Sequence, residues 1–312
     1  ARFRHSYPHS WRSKKPLIYW ATPQWFLGLD HQDSQIRQRV LQALESVCFF
    51  PEGGRNRLEA MIRGRPDWCI SRQRAWGVPI MVLVRRDNPR HVLKDERISQ
   101  RIVEITAEEG ADWWLAAPQA AVARVLAGHG FTVGGAPLVA EEWEAVTDIL
   151  DVWFDSGSTH AFVLREPVDA AWKPAVRLPG EPPADVYLEG SDQHRGWFQA
   201  SLVESVGTRG EPPFKAIVTH GFVLDEKGQK MSKSLGNVVS PDDVMKEYGA
   251  DILRLWVVNS NYYEDLRIGK TILQHTAGHY RRFRNTLRYL LGALNGAELE
   301  PLPHNLHQLP VL

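Results

Sequence analysis

Asp185-Val-Tyr-Leu-Glu-Gly-Ser-Asp-Gln-His-Arg-Gly-Trp-Phe198 is the stretch on which the fold turns. Its apolar run ends in Gly190, and Ser191 and Asp192 then offer helix-capping side chains. That order predicts a buried strand followed by a helix reaching about Val206. Phe214-Lys-Ala-Ile-Val-Thr-His-Gly221 repeats the apolar run and again ends in glycine. Strand, helix, strand is the rhythm of an α/β fold with a parallel doubly wound sheet. A sheet of that kind takes its ligand where a strand's carboxyl end meets a helix N-terminus. Glu189, Asp192 and Gln193 stand there with groups suited to an ammonium or to ribose hydroxyls, and Trp197 offers an apolar wall. A capping cluster with a core tryptophan is the other reading of the same residues.

Downstream, Phe222 to Met231 reads as a hairpin turning at Gly228. Ser240-Pro241-Asp-Asp243 opens a helix with a cap, a proline in the first turn and acids facing the positive end of the dipole. Gly249 closes it and Asp251 starts another. From residue 271, Thr276, Tyr280, Phe283, Leu287 and Leu290 trace one helical face. Upstream, Leu17-Ile-Tyr-Trp20 predicts a short strand. Ser34 caps an expected helix carrying Ile36, Val40, Leu44 and Val47, which Gly53-Gly54 breaks before a second short helix at Leu58–Met61. Asp67–Ser71 reads as a strand running into a basic turn, Arg72-Gln-Arg74. Residues 85–147 are acidic and rich in alanine, with helical patterning at 98–105 and 120–126. They read as an insertion of mixed α/β character, in which His129, between two glycines, is a turn residue.

Composition narrows the class. The 312 residues are 43% apolar and 24% charged, which supports a folded core and excludes disordered or collagen-like chains. Two cysteines, Cys48 and Cys69, exclude a disulfide scaffold and a four-thiolate zinc site. No apolar run approaches a membrane span, and Ala1-Arg-Phe-Arg-His is no signal peptide, so a cytoplasmic protein is expected. Lysine plus arginine (37) balances aspartate plus glutamate (37), but unevenly along the chain. Residues 1–65 carry a balance of +6 and residues 101–160 one of −8, while 271–290 holds Arg281, Arg282, Arg284 and Arg288 with no acid. Basic segments near both ends suit a polyanion partner, or ordinary solvated surface.

The chemistry concentrates in Lys230-Met231-Ser232-Lys233-Ser234, followed by Leu-Gly-Asn237. Two lysines three apart, with two hydroxyls and a glycine, suit a triphosphate and the charge that builds on a leaving pyrophosphate. By residue chemistry alone the same loop is also a solvated turn. The pentapeptide resembles, letter for letter, the signature loop of class I aminoacyl-tRNA synthetases. The run Glu189-Gly-Ser-Asp-Gln-His-Arg-Gly-Trp-Phe198 narrows the resemblance to the isoleucyl-tRNA synthetases, since the valyl and leucyl relatives differ across it. Asp67-Trp-Cys-Ile-Ser-Arg-Gln-Arg-Ala-Trp-Gly-Val-Pro79 resembles the strand and turn after that family's editing insertion. Asp151-Val-Trp-Phe-Asp-Ser-Gly-Ser158 resembles its amino-acid-pocket segment. Ala21-Thr-Pro-Gln-Trp-Phe26, after Ser10-Trp-Arg12, is similar to the exit from its editing domain. These stretches keep the family's order over roughly residues 5–295. Trp20 departs from it, standing where an arginine is expected.

The resemblance implies a role for each matching residue. Lys233 matches the lysine that contacts ATP, with Lys230 supporting it as the second catalytic residue. Glu189 matches the residue that binds the aminoacyl adenylate, with Gly190, Asp192 and Gln193 in the same run. His220 and Gly221 match the strand end near the adenosine. Trp153 and Trp197 match the walls of the isoleucine pocket. ATP with Mg²⁺, L-isoleucine and tRNA(Ile) are the implied substrates; no protein-held metal and no membrane are expected.

The family's other signature, His-x-Gly-His, is missing from these residues; Gly128-His-Gly and Thr219-His-Gly do not match it. The editing insertion's threonine-rich site, most anticodon-binding helices and the terminal zinc cysteines are missing as well. The expectation is therefore a middle piece. Residues 1–66 would be the exit from the editing domain with connecting helices. Residues 67–270 would be the second half of a Rossmann-like catalytic domain, and 271–312 the first helix of the anticodon bundle. Such a piece alone is expected to be inactive. The alternative is a non-catalytic tRNA- or protein-binding paralogue, which decay of the lysine loop or of the adenylate contacts would mark. Both are intact here.

Overall fold

The computed structural model describes residues 4–10, 13–128, 130–133, 135–164 and 181–296. Trp11, Arg12, the turn expected at His129 and the chain after 296 lie outside the described residues. Two compact units form. The first is drawn from the chain up to Tyr187 and from Asp192 to Ile217, the second from Leu188–Ser191 and from Val218 onward.

In the first unit the anticipated strand–helix–strand is present as Ala184–Gly190, Trp197–Arg209 and Phe214–His220. The two strands are neighbours in a three-stranded sheet whose third member, beside Phe214–His220, is Cys48–Phe50. Ala184 N–H donates to the Pro213 carbonyl at 3.0 Å, and Lys215 lies 3.4 Å from Asp185. Both contacts join the starts of the two strands, the arrangement of a parallel pair connected by a helix. The carboxyl ends of both strands, 188–190 and 218–220, are counted with the second unit.

The helix Trp197–Arg209 is buried along Phe198–Val206, and the core gathers around it: Leu29, Val40, Leu44, Leu58, Phe214 and Ile217. A separate cluster gathers residues from 83 to 145. Ile98, Ile102 and Ile105 of the helix Glu96–Glu109 meet Trp114, Val122 and Trp143. The strands Leu83–Arg85 and Trp143–Ala145, paired antiparallel, belong to the same region, which therefore combines helices and strands. In the second unit Val244, Ile252, Trp256, Ile268 and Leu273 form the core. They come from the helices Pro241–Tyr248, Ala250–Val258 and Lys270–Leu294 and the segment before the last.

Four local expectations are corrected. Leu17–Trp20 forms no strand; Leu17 N–H donates to the Pro8 carbonyl at 3.0 Å, but Ile18, Tyr19 and Trp20 are about 80% exposed and pair with no strand among the described residues. Ser34 does not cap the first helix, which spans Ile36–Ala43, because Gln35 intervenes in a left-handed conformation (φ 43°) and turns the chain away. Gly53-Gly54 opens the helix Gly53–Gly64 instead of breaking one. Ser191 and Asp192 enter a 3₁₀ turn, Ser191–His194, and the long helix begins only at Trp197.

Candidate active site

Each unit holds its own part of the expected site. In the first, Asp151 is 5% exposed and organises one wall. Its Oδ1 accepts the Trp153 N–H at 3.3 Å and so caps the helix Val152–Gly157. Its Oδ2 accepts from the Trp68 indole at 3.3 Å and from Arg72 at 2.8 Å. Arg65 lies 4.8 Å over the Trp68 ring, donates to Gln199, and has its pKa lowered by burial. Asp151, Trp68, Arg72 and Arg65, with Trp153 and Gly196, line a cavity of about 330 Å³. Asp151, Arg65 and Arg72 were not singled out from the sequence as site residues, although Asp151 and Arg72 lie inside stretches that were quoted.

Trp197 sits at the head of the long helix. Its indole stacks on Tyr187 with centroids 4.0 Å apart and planes within 6°, and its N–H donates to the Ser156 carbonyl and the Thr159 hydroxyl, both at 3.0 Å. Gln193 Oε1 accepts the Trp197 backbone N–H at 2.9 Å, performing the capping that Ser191 was expected to provide. A Cβ at Gly196 would lie 3.0 Å from the Trp153 ring and 2.5 Å from Gln193 Oε1. Only glycine therefore lets the two tryptophan-bearing segments meet here. Trp153 and Trp197 are thus brought to one junction, but only Trp153 lines the cavity. Asp192 is exposed beside it in sequence.

In the second unit Glu189 is exposed and its carboxylate accepts the Gly190 N–H at 3.2 Å. Gly221 donates to the Tyr262 carbonyl at 2.9 Å, and a Cβ there would fall 2.2 Å from the Glu264 carbonyl oxygen. The strand end is fixed against 262–265 by the absence of a side chain. His220 Nδ1 lies 2.8 Å from the Gly221 carbonyl.

The lysine loop follows. Val223–Leu224 pairs in parallel with Leu266–Arg267, and the hairpin turns at Asp225–Gly228 as expected. Met231 packs into the core of this unit, and the Val239 N–H approaches its Sδ at 3.4 Å. Lys230 and Lys233, on either side of that anchor, are exposed with no carboxylate within ion-pair distance among the described residues. Gly236 closes the loop in a left-handed conformation (φ 66°) and donates to the carbonyls of Ser232 and Lys233 at 3.2 and 3.3 Å. An anchored loop presenting two free ammonium groups is suited to receive a polyphosphate.

Residues 10–269 match the family model of the class I tRNA synthetases (I, L, M and V). The chain belongs to that family. Isoleucine–tRNA ligases are among its relatives: that of Mesorhizobium japonicum is 53% identical over 305 residues, covering 97% of this chain. That of Gluconobacter oxydans is 54% identical over 319 residues and that of Pelagibacter ubique 50% over 313, each covering 99%. This synthetase chain spans 28%, 31% and 32% of those three proteins. A solved LeuRS–tRNA–LeuAMS ternary complex from Agrobacterium radiobacter K84 aligns with 75% of the chain and 30% of its own, at 22% identity and a TM-score of 0.46. No helix among the described residues is long and apolar enough to cross a membrane.

Proposed function

We propose that this chain supplies the second half of the catalytic domain of an isoleucine–tRNA ligase. In that reaction the isoleucine carboxylate attacks the α-phosphorus of ATP. A carboxyl–phosphate bond forms, the bond to the bridging oxygen breaks, and pyrophosphate leaves with the electron pair. The acyl group then passes from the adenylate to the terminal ribose of tRNA(Ile). No side-chain nucleophile is required; the enzyme positions its substrates and stabilises charge at phosphorus.

The observation that carries this reading is the intact lysine loop, whose two ammonium groups have no ion-pair partner among the described residues. Lys233 and Lys230 would neutralise charge on the departing pyrophosphate, and Mg²⁺ would arrive on the nucleotide as part of the substrate. Glu189 would hold the adenylate, with Gly190, Asp192 and Gln193 in the same run and His220 and Gly221 beside the adenosine. Trp153 and Trp197 would wall the isoleucine side chain. The parallel unit would be half of a doubly wound sheet in a cytoplasmic enzyme. Residues 1–66 would lead out of an editing domain, and the helix from about 271 would open an anticodon-binding bundle. The exposed Arg281, Arg282, Arg284 and Arg288 on that helix suit a tRNA backbone.

Isoleucine-dependent pyrophosphate exchange by the complete protein tests the proposal. Lys233→Ala should lower kcat by roughly 100-fold with a small change in the isoleucine KM, as for a group acting mainly in the transition state. The 312-residue chain alone should exchange no faster than its Lys233→Ala form. Absence of exchange in the complete wild-type protein would favour the non-catalytic paralogue.

A further inference from the structure

We propose that Asp225 and Asn237 form a clasp that sets the backbone of the lysine loop, and that both are positioning residues for adenylation; this rests on the function proposed above. Asp225 follows directly on Val223–Leu224 and is 8% exposed. Its Oδ1 accepts the N–H groups of Lys227 and Gln229 at 3.0 and 2.7 Å, which fixes the hairpin turn. Its Oδ2 accepts from Asn237 Nδ2 at 2.9 Å. Asn237 reaches back across the loop with the rest of its amide. Oδ1 accepts the Ser232 N–H at 2.9 Å and Nδ2 lies 3.3 Å from the Lys230 carbonyl. Asn237 therefore holds the backbone on both sides of Met231, and through Asp225 ties it to the strand pair at 223–224 and 266–267.

One orientation of the amide fits this network, since both Nδ2 neighbours are acceptors and the Oδ1 neighbour is a donor. The hydrogen bond from Asn237, followed by those from the Gln229 and Lys227 backbone, holds the Asp225 carboxyl below its ordinary pKa. Asp225 is thus an ionised acceptor, and such charge-assisted bonds are the stronger kind. The lysines join this closure only through their backbone carbonyls, and their ammonium groups take no part in it among the described residues. The clasp confines the peptide carrying them.

The donor–acceptor logic gives a test that simple loss of structure does not mimic. In the complete protein, Asn237→Asp would set a carboxylate oxygen against Asp225 Oδ2. Isoleucine-dependent exchange should then fall in kcat by roughly 100-fold, with the isoleucine KM within about twofold. Asp225→Asn combined with Asn237→Asp restores a donor facing an acceptor and should recover at least roughly tenfold of the loss. Deuterium uptake over residues 226–238, measured on the same proteins, reads the loop without activity. Uptake should rise in Asn237→Asp and return toward wild type in the double variant. Uptake and kcat in the double variant no better than in the worse single variant would overturn the clasp. If wild type shows no exchange but uptake follows the stated pattern, the functional reading fails and the clasp stands. Should Asn237→Asp not fold, Asn237→Ser serves: raised uptake confined to this loop supports the clasp, and wild-type uptake overturns it.

Discussion

Glu204 of the first unit is a carboxylic acid buried without a full set of partners among the described residues. It is 7% exposed on the buried helix, and its Oε1 has no hydrogen-bond partner among the described residues. A Cβ at Gly157 would fall 2.1 Å from that oxygen, so the carboxyl rests on bare backbone. Burial first, and then the charge of Asp155, push its pKa from 4.5 to about 9. The folded value lies above the unfolded one, so the unfolded chain releases its proton first as pH rises. The contribution of this one group to stability is therefore full below about pH 4.5 and declines until about pH 9. The slope is about 1.4 kcal/mol per pH unit within that window. Glu204→Gln keeps the shape and removes the proton release. Its stability advantage over wild type should widen by about 2–3 kcal/mol between pH 5 and pH 7 in urea unfolding. A difference that does not change with pH would mean that Glu204 ionises normally in the fold.

Two serine caps that read alike in the sequence separate at the scale of elements. Ser240 has the extended backbone of a cap, its Oγ accepts the Asp242 N–H at 3.3 Å, and Pro241 fills the first turn. Ser34 stands one residue too early, and its helix has no side-chain cap. Ser240→Ala should cost about 1 kcal/mol and Ser34→Ala no more than a few tenths, measured by denaturant midpoints at equal m-value. Equal costs would refute the assignment. The contrast shows what the sequence carries. Ala184–Gly190, Phe214–His220, Pro241–Tyr248 and the helix Glu96–Glu109 were legible because their apolar runs and caps are local signals. Cys48–Phe50 was not, because three residues show no period and their strand character comes from a distant partner. The lysine loop and Glu189 were singled out through resemblance, whereas the contacts of Asp151 and Arg65 depend on neighbours far along the chain. Gln193 reads as a ligand contact in the sequence, and the fold adds a second task, since its oxygen also accepts the Trp197 N–H of the helix that follows. Glu204 gave no signal, since a glutamate amid Leu, Val and Ser predicts a solvated edge until every side of the helix is seen to be covered.

For the molecule as a whole, the apolar side chains left uncovered make the next testable point. In the helix Lys270–Leu294, Leu273, Ala277 and Tyr280 pack into the core of the second unit. The same stripe continues through Phe283, Leu287, Leu290 and Leu294, which are 58, 60, 47 and 49% exposed. Spacing of three and four keeps them on one face, so the helix carries an apolar seam longer than the core it meets. Val186, on the strand Ala184–Gly190 of the first unit, is 49% exposed as well. An uncovered apolar stripe such as that of the helix drives association. The isolated 312-residue chain should therefore sediment as a concentration-dependent mixture at micromolar levels. Leu287→Glu with Leu290→Glu lies outside the core and should shift it toward monomer while leaving the far-ultraviolet circular dichroism unchanged. A wild-type chain that is monomeric throughout, or a double variant that associates as strongly, would show that this seam does not govern its behaviour in solution.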